Sequence, residues 1–176
     1  MIIFDIEGVL IDNSERFKTA LARIDRSAKK PEELDARSRT VFWKIFLNPD
    51  LSRKLDRINK AGVEYLIEKL RQGKNIILLS GAPKEIVLIH LEKIRQYLHQ
   101  RGIKENFSHV IWRERNDKRK AEEFKLDMIR KLRLFFNEEI EEIHDDNPFV
   151  IETLNKFARK AFLWEKCRIS KVFEHK

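Results

Sequence analysis

Four acids and a lysine carry the strongest chemical signal in this chain: Asp5 and Glu7 near one end, Asp145-Asp146 near the other, and Lys125 ahead of the second pair. A spacing of two puts the Asp5 and Glu7 side chains on the same side of an extended chain. Close carboxylates repel one another unless a hard divalent cation sits among them, and oxygen-only ligation with open positions suits Mg²⁺. A metal held this way can bridge a carboxylate nucleophile and a phosphoryl oxygen and neutralise charge as a phosphoryl group moves. The hydroxyl of Ser80, in Leu79-Ser80-Gly81, can donate to a phosphate oxygen. Lys125 can both keep a nucleophilic carboxylate ionised and contact the phosphate.

These groups meet only if the elements that carry them end at one edge. Ile2, Ile3, Phe4, Asp5 and Ile6 open an apolar run without a polar face, which reads as a strand buried on both sides, broken by Gly8. Ile76 to Leu79 reads as a second such strand that stops at Ser80-Gly81, and His109 to Trp112 as a third. Ile140 and Ile143 mark a fourth, ending in His144-Asp145-Asp146-Asn147-Pro148, and Ala161 to Trp164 a fifth. Between them lie helical patterns: Val63, Leu66, Ile67 and Leu70 closed by Gly73; Val87, Leu91, Ile94 and Leu98; Leu126, Ile129 and Leu132 in a helix opening near Lys125; and Val150, Ile151 and Leu154. Alternation of strand and helix predicts an α/β fold, a Rossmann-like parallel sheet of about five strands with helices on both faces. In such sheets ligands bind at the carboxyl ends of the strands, where Asp5, Glu7, Ser80 and Asp145-Asp146 all fall.

Residues 14–60 break the alternation. Ser14 reads as the N-cap of a helix with Phe17, Leu21 and Ile24, Pro31 as the start of a second with Leu34, Phe42 and Phe46, and Leu51, Leu55 and Ile58 as a third. This predicts an all-helical insertion without strands, splitting the chain into a core of residues 1–13 and 61–176 and a cap of residues 14–60. Arg113 to Lys120 is a basic run after the third strand, on the edge that carries Asp5; Arg113, Arg115 and Arg119 are therefore candidate substrate contacts, against the ordinary alternative of a solvated loop, and Gly81, in the turn after the second strand, is a further candidate. His90 and His99 have no spacing that pairs them with a nearby ligand and read as plain surface or core histidines. The tail from Lys166 has no clear element.

With 42% hydrophobic and 38% charged residues the chain reads as a globular protein with a densely charged surface. A net charge of +8 favours anionic partners such as phosphate esters or nucleic acid. A single cysteine, Cys167, excludes an intramolecular disulfide and a cysteine zinc site. No apolar run approaches membrane-spanning length and no signal segment precedes the first strand, so the expectation is a cytoplasmic protein without a membrane partner.

Taken together, the motifs resemble those of the haloacid dehalogenase (HAD) superfamily. Its first motif, two aspartates one residue apart followed by Gly and Thr or Val, is matched by Asp5-Ile6-Glu7-Gly8-Val9; its second, an apolar strand ending in Ser or Thr, by Ile76 to Ser80; its third, a lysine, by Lys125; its fourth, an acidic pair, by Asp145-Asp146. The resemblance implies a Mg²⁺-dependent phosphatase with Asp5 as the nucleophile that forms an aspartyl-phosphate. It implies a metal held by Asp5, the Glu7 carbonyl and Asp145, with Asp146 assisting through water. The finer pattern is similar to the phosphatase domain of phage-type polynucleotide kinases, through the Ser-Gly turn and the Arg113-to-Arg119 loop ahead of Lys125. That implies a phosphorylated small molecule or a nucleic-acid phosphate terminus as substrate.

Two positions depart from the pattern. Pro83 stands after Ala82 where those relatives place an arginine, and Glu7 stands where the family's general acid is aspartate. Glutamate offers the same proton chemistry but is one methylene longer, which displaces its carboxyl by about 1.5 Å. A displacement of that order can cost about a hundredfold in rate. Three readings stay open: an active phosphatase with an adjusted acid, a slow or specialised phosphoryl-transfer enzyme, and a silent HAD-fold protein that binds nucleic acid or a phosphorylated ligand.

Overall fold

A computed structural model describes residues 1–175. Strand β1 (Ile2–Phe4) lies at the centre of a six-stranded sheet, flanked by β4 (Ile76–Leu79) and β6 (Ile140–Asp145), both parallel to it. Strand β5 (Phe107–Ile111) forms one edge beside β4; β7 (Ala158–Glu165) and then β8 (Arg168–Glu174) extend the other side, the last antiparallel. The connecting helices are α4 (Lys60–Arg71), α5 (Lys84–Gln100), α6 (Ala121–Phe136) and α7 (Pro148–Leu154).

The alternation of side chains along the strands sorts the core into two layers. Ile2, Phe4, Ile76 and Leu78 face α4 and α5, meeting Val63, Leu66, Ile67, Val87, Leu91 and Ile94. Ile3, Ile77, Leu79 and Ile143 face the other way, against Phe124, Ile129 and Leu132 of α6 and Val150, Ile151 and Leu154 of α7. Helices therefore cover both faces, and every parallel strand delivers its carboxyl end to the same edge.

Between β2 (Ile11–Asp12) and its antiparallel partner β3 (Arg57–Ile58) lie α1 (Ser14–Ala22), α2 (Ala36–Phe46) and α3 (Pro49–Leu55). These helices bury a separate apolar cluster of Ala20, Leu21, Leu34, Phe42 and Phe46.

Several expectations are corrected. The sheet has six strands because the tail after Lys166 forms β8, joined to β7 by a tight turn in which Lys166 and Cys167 both take positive φ, 49° and 63°. The insertion is not strand-free: β3 lies within it, in a two-residue ladder too short to leave an alternation pattern. Strand β1 ends at Phe4, since Leu10 and Ile11 donate back to the Ile6 carbonyl at 2.9 and 2.8 Å and fold residues 6–11 into a loop. Ser14 is the first residue of α1 rather than its cap, its N–H taken by Asp12 Oδ1 at 2.9 Å. Pro31 opens a 3₁₀ turn, and α2 starts after Asp35, whose carboxylate accepts the Arg37 and Ser38 N–H groups. Helix α6 opens at Ala121, placing Lys125 in its second turn.

Candidate active site

The loop after β1 is pinned at both ends. The Asp5 N–H donates to the His144 carbonyl on β6 at 2.8 Å, and the Asp5 carboxylate accepts the Ile6 N–H at 2.7 Å. Asn59, ahead of α4, donates through Nδ2 to the Val9 carbonyl at 2.6 Å. Asp5 faces Asp145 and Asp146, which end β6; carboxylate oxygens of all three lie within 4.8 Å of one another. Lys125 reaches them from α6, with Nζ 2.7 Å from Asp5 Oδ2 and 2.6 Å from Asp145 Oδ2. Asp5, Lys125 and Asp145 are all buried.

Gly8 makes room for the Asp146 carboxylate. A Cβ at Gly8, where φ is +76°, would stand 2.0 Å from Asp146 Oδ2, so only glycine lets that side chain lie over the loop.

The electrostatics of the cluster follow from crowding. Burial pushes the Asp5 carboxyl well above the ordinary carboxylate range, Asp145 and Asp146 add to this, and Lys125 pulls it back. Asp146 keeps contact with solvent at the mouth, yet the surrounding protein and the Asp145 charge push it up to about 7. Burial alone would lower Lys125; the Asp145 and Asp5 carboxylates overcome it and hold the ammonium charged. Three converging hard oxygen donors with one cation among them are short of positive charge, and this donor set fits a divalent metal of the Mg²⁺ kind.

A cavity of about 220 Å³ opens onto this cluster, lined by Asp5, Glu7, Lys125, Asp145 and Asp146, with Gly81, Ala82 and Arg113 on one side and Trp43, Phe46 and Leu47 of the helical insertion opposite. It adjoins a second of about 260 Å³ that shares Trp43, Leu47, Gly81 and Arg113 and adds Lys44, Pro83 and Arg115. A larger groove of about 540 Å³, lined by Arg133, Glu139, Lys156 and Arg159, lies at the amino ends of the strands, away from the acids.

Most of the residues singled out by sequence thus meet. Asp5, Glu7, Lys125, Asp145 and Asp146 line one cavity, with Gly81 and Arg113 at its wall. Ser80 lies just beneath, fully buried, its Oγ accepting the Ala82 N–H at 3.0 Å. Arg115 sits in the adjoining cavity and pairs with Glu85 at 3.2 Å. Arg119 lies outside both cavity linings, its guanidinium paired with Asp117 and Asp127 at 2.5 and 3.0 Å.

Three residues near the site carried no sequence signal that singled them out. Trp43, 45% exposed, lines both cavities; in the sequence it stands alongside the apolar positions of its helix with nothing to assign it a role. Arg16 is fully buried and binds the Glu7 carboxylate through Nη2. His90 is a buried histidine but not an isolated one: Nε2 is 2.7 Å from Asp56 Oδ2, a partner 34 residues away that spacing along α5 cannot reveal. An arginine four residues before Ala20, on the side of α1 that becomes buried, was the faint mark of a buried guanidinium.

Neither any family model nor any curated protein matches the chain by sequence. Solved structures do match by shape. A haloacid dehalogenase-like hydrolase from Streptococcus pneumoniae superposes with a TM-score of 0.60 at 13% identity, over 89% of this chain and 80% of that one. A HAD family enzyme from Bacteroides thetaiotaomicron, solved with magnesium and inorganic phosphate, gives 0.53 at 13% identity over 92% of each chain. A chain of the Pnkp1/Rnl/Hen1 RNA repair complex gives 0.51 at 19% identity, over 93% of this chain and 41% of that one. The protein has the Rossmann-like fold of the HAD hydrolases.

Proposed function

We propose that the protein is a Mg²⁺-dependent phosphomonoester hydrolase that works through an aspartyl-phosphate on Asp5, with residues 14–60 as a cap over the site. The observation that carries this reading is the buried Asp5–Lys125–Asp145 cluster, with Asp146 beside it, at the carboxyl edge of the sheet. Asp5, Asp145 and the Glu7 carbonyl would hold the metal, with Asp146 through water. When bound, Mg²⁺ supplies the positive charge that phosphoryl oxygens need in transit.

An Asp5 carboxylate oxygen attacks phosphorus, and the bond from phosphorus to the ester oxygen breaks. Glu7 gives its proton to the departing oxygen, leaving an alcohol and the acyl phosphate. Water then attacks that phosphorus and gives its proton to Glu7, the bond to Asp5 breaks, and inorganic phosphate leaves. Lys125 balances the charge of Asp5 and of the phosphoryl group, while Ser80 and Arg113 would hold phosphate oxygens.

For the substrate, the adjoining cavities favour a nucleotide or a nucleic-acid phosphate terminus: Trp43 offers an aromatic face, and Lys44 and Arg113 offer positive charge on the way from the acids, beside the Glu85-paired Arg115 and the carboxylates of Glu114 and Asp117. The likeness to a chain of an RNA repair complex supports the same choice. The test is release of phosphate from mononucleotides, sugar phosphates and oligonucleotides ending in 3′-phosphate, with and without Mg²⁺. Metal-dependent release that falls at least about a thousandfold in Asp5→Asn supports the reading. A folded, Mg²⁺-loaded protein that releases none from any of them rejects it, and salt-dependent oligonucleotide binding without hydrolysis would favour the silent form.

A further inference from the structure

Glu7 does not stand alone. Its Oε1 is bound by Nη2 of Arg16, the second residue after the start of the cap helix α1, which leaves Oε2 to carry the proton that the departing oxygen takes. That guanidinium is fully buried and is itself fixed from three other directions: Nη1 donates to the Phe46 carbonyl at the end of α2 at 3.0 Å, Nε lies 3.1 Å from Asp56 Oδ1, and the group stacks over the Phe46 ring at 4.2 Å. Asp56 is held in turn by Ser52 Oγ and His90 Nε2, each at 2.7 Å from its Oδ2. The chain of contacts runs from the catalytic cavity through α1, the end of α2 and the end of α3 to α5.

We propose that Arg16 is the positioning residue for Glu7 and the reason that this chain works with glutamate where aspartate would be expected. The inference rests on the phosphatase reading above. A planar guanidinium has fixed donor directions, so an arginine immobilised by Asp56 and Phe46 prescribes where its remaining nitrogen can meet a carboxylate. The extra methylene of Glu7 brings the carboxylate to that nitrogen while the backbone at position 7 stays in the loop that holds Asp5. An aspartate would fall about 1.5 Å short of it. Glu7 keeps 17% of its side-chain surface and lines the cavity, so without Arg16 it would swing toward solvent rather than stay buried and unpaired. Its productive rotamer is therefore imposed by Arg16. Because Arg16 and its Phe46 contact both belong to the cap, the acid is fully placed only when the cap is seated.

A purely structural Arg16 would only bolt the cap to the core, and the two roles give different kinetics. A positioned acid matters most when the leaving oxygen is a poor one, such as the alkoxide of a nucleoside monophosphate, and much less for the nitrophenolate of p-nitrophenyl phosphate. Arg16→Met is expected to lower kcat/KM about a hundredfold on the nucleotide and about tenfold on the nitrophenyl ester. Arg16→Lys, which keeps the charge but not the fork, should fall between wild type and Arg16→Met. In a Glu7→Gln background, Arg16→Met should add less than about twofold, because residues acting as one unit are not additive.

Equal losses on both esters, or a full additional loss in the Glu7→Gln background, would overturn the proposal. So would wild-type kinetics in Arg16→Lys or Arg16→Met. If the wild type hydrolyses neither ester, the phosphatase reading fails by itself. Crystal structures then decide about Arg16: Glu7 must sit on Arg16 in the wild type and take another rotamer in Arg16→Lys and Arg16→Met, and an unmoved Glu7 refutes the positioning.

Discussion

Lys125 joins stability to chemistry at a single atom. Its ammonium touches Asp5 and Asp145 within a buried site, so removing it leaves two acids desolvated and uncompensated. Breaking a buried pair in this way typically costs about 3–5 kcal/mol. Lys125→Met is therefore expected to lower stability by about that amount in urea unfolding and phosphate release by at least about a hundredfold. Added Mg²⁺ should recover part of the stability, because a ligand that binds only the native state adds to it. Gly8 is a simpler case. Gly8→Ala must strain a positive φ and displace Asp146, which predicts a loss of about 1–3 kcal/mol in the same assay together with weaker Mg²⁺ binding by calorimetry. Wild-type metal affinity in Gly8→Ala would show that Asp146 does not contribute to the site. The acids and Ser80 were legible in the sequence because each stands at or just past the end of a strand, and Lys125 because a helical pattern opens near it. Arg16 and Asp56 were not, since their meaning lies in contacts with residues 30 and more positions away.

The elements show why some parts of the fold can be read from sequence and others cannot. Strands β1 and β4 are buried on both faces and stand out as unbroken apolar runs. Strand β8 is the sheet edge; with Arg168, Lys171 and Glu174 exposed it lacks that signature, as charged edge strands do, and its turn through Lys166-Cys167 lacks the Asn-Gly or Asp-Gly that marks most two-residue hairpins. Strand β6 also contains polar residues that an apolar count passes over. Its Glu142 accepts from Lys69 Nζ at 2.7 Å and Tyr65 Oη at 3.0 Å on α4, and lies 3.1 Å from Nε2 of His144, whose ring is stacked between Phe4 and Phe162 at 4.3 and 4.4 Å. Burial opposes the Glu142 charge, but His144 and Lys69 outweigh it and hold the carboxyl at about 2, below its ordinary 4.5. A folded-state value below the unfolded one means that the unfolded chain takes up the proton first. The stabilisation is then complete above about pH 5 and is lost as pH falls toward 2. Glu142→Gln should flatten the acid limb of a plot of urea midpoint against pH. An unchanged slope below pH 5 would mean that the Lys69–Glu142 link between α4 and β6 does not stabilise the fold.

At the scale of the molecule, two apolar cores face each other across the site: the double layer around the sheet, and the small cluster within the helical insertion. That residues 14–60 hold helices was legible because an apolar helical pattern replaced strand–helix alternation. The way the insertion reaches the acids was not, since that depends on Trp43 being left outside its own cluster. Trp43 is rooted there by edge-on contacts to Phe42 and Phe46 at 5.0 and 5.8 Å, while its outer part lines both cavities. Under the proposed function, this placement predicts that the insertion has a measurable share in substrate choice. A base stacked on an aromatic side chain is worth about 1–3 kcal/mol. Trp43→Ala is then expected to raise KM for a nucleoside monophosphate by about tenfold, since about 1.4 kcal/mol corresponds to a factor of ten. KM for phosphoglycolate, which has no base to stack, should change by less than about twofold. The exposed side of Trp43 adds little to the apolar cluster, so the melting temperature should move by only a few degrees. Equal KM changes on both substrates would assign Trp43 to the integrity of the insertion and would remove the base from the substrate. An unequal change would place the base against the face of α2 that carries Trp43, with its phosphate directed past Arg113 toward Asp5.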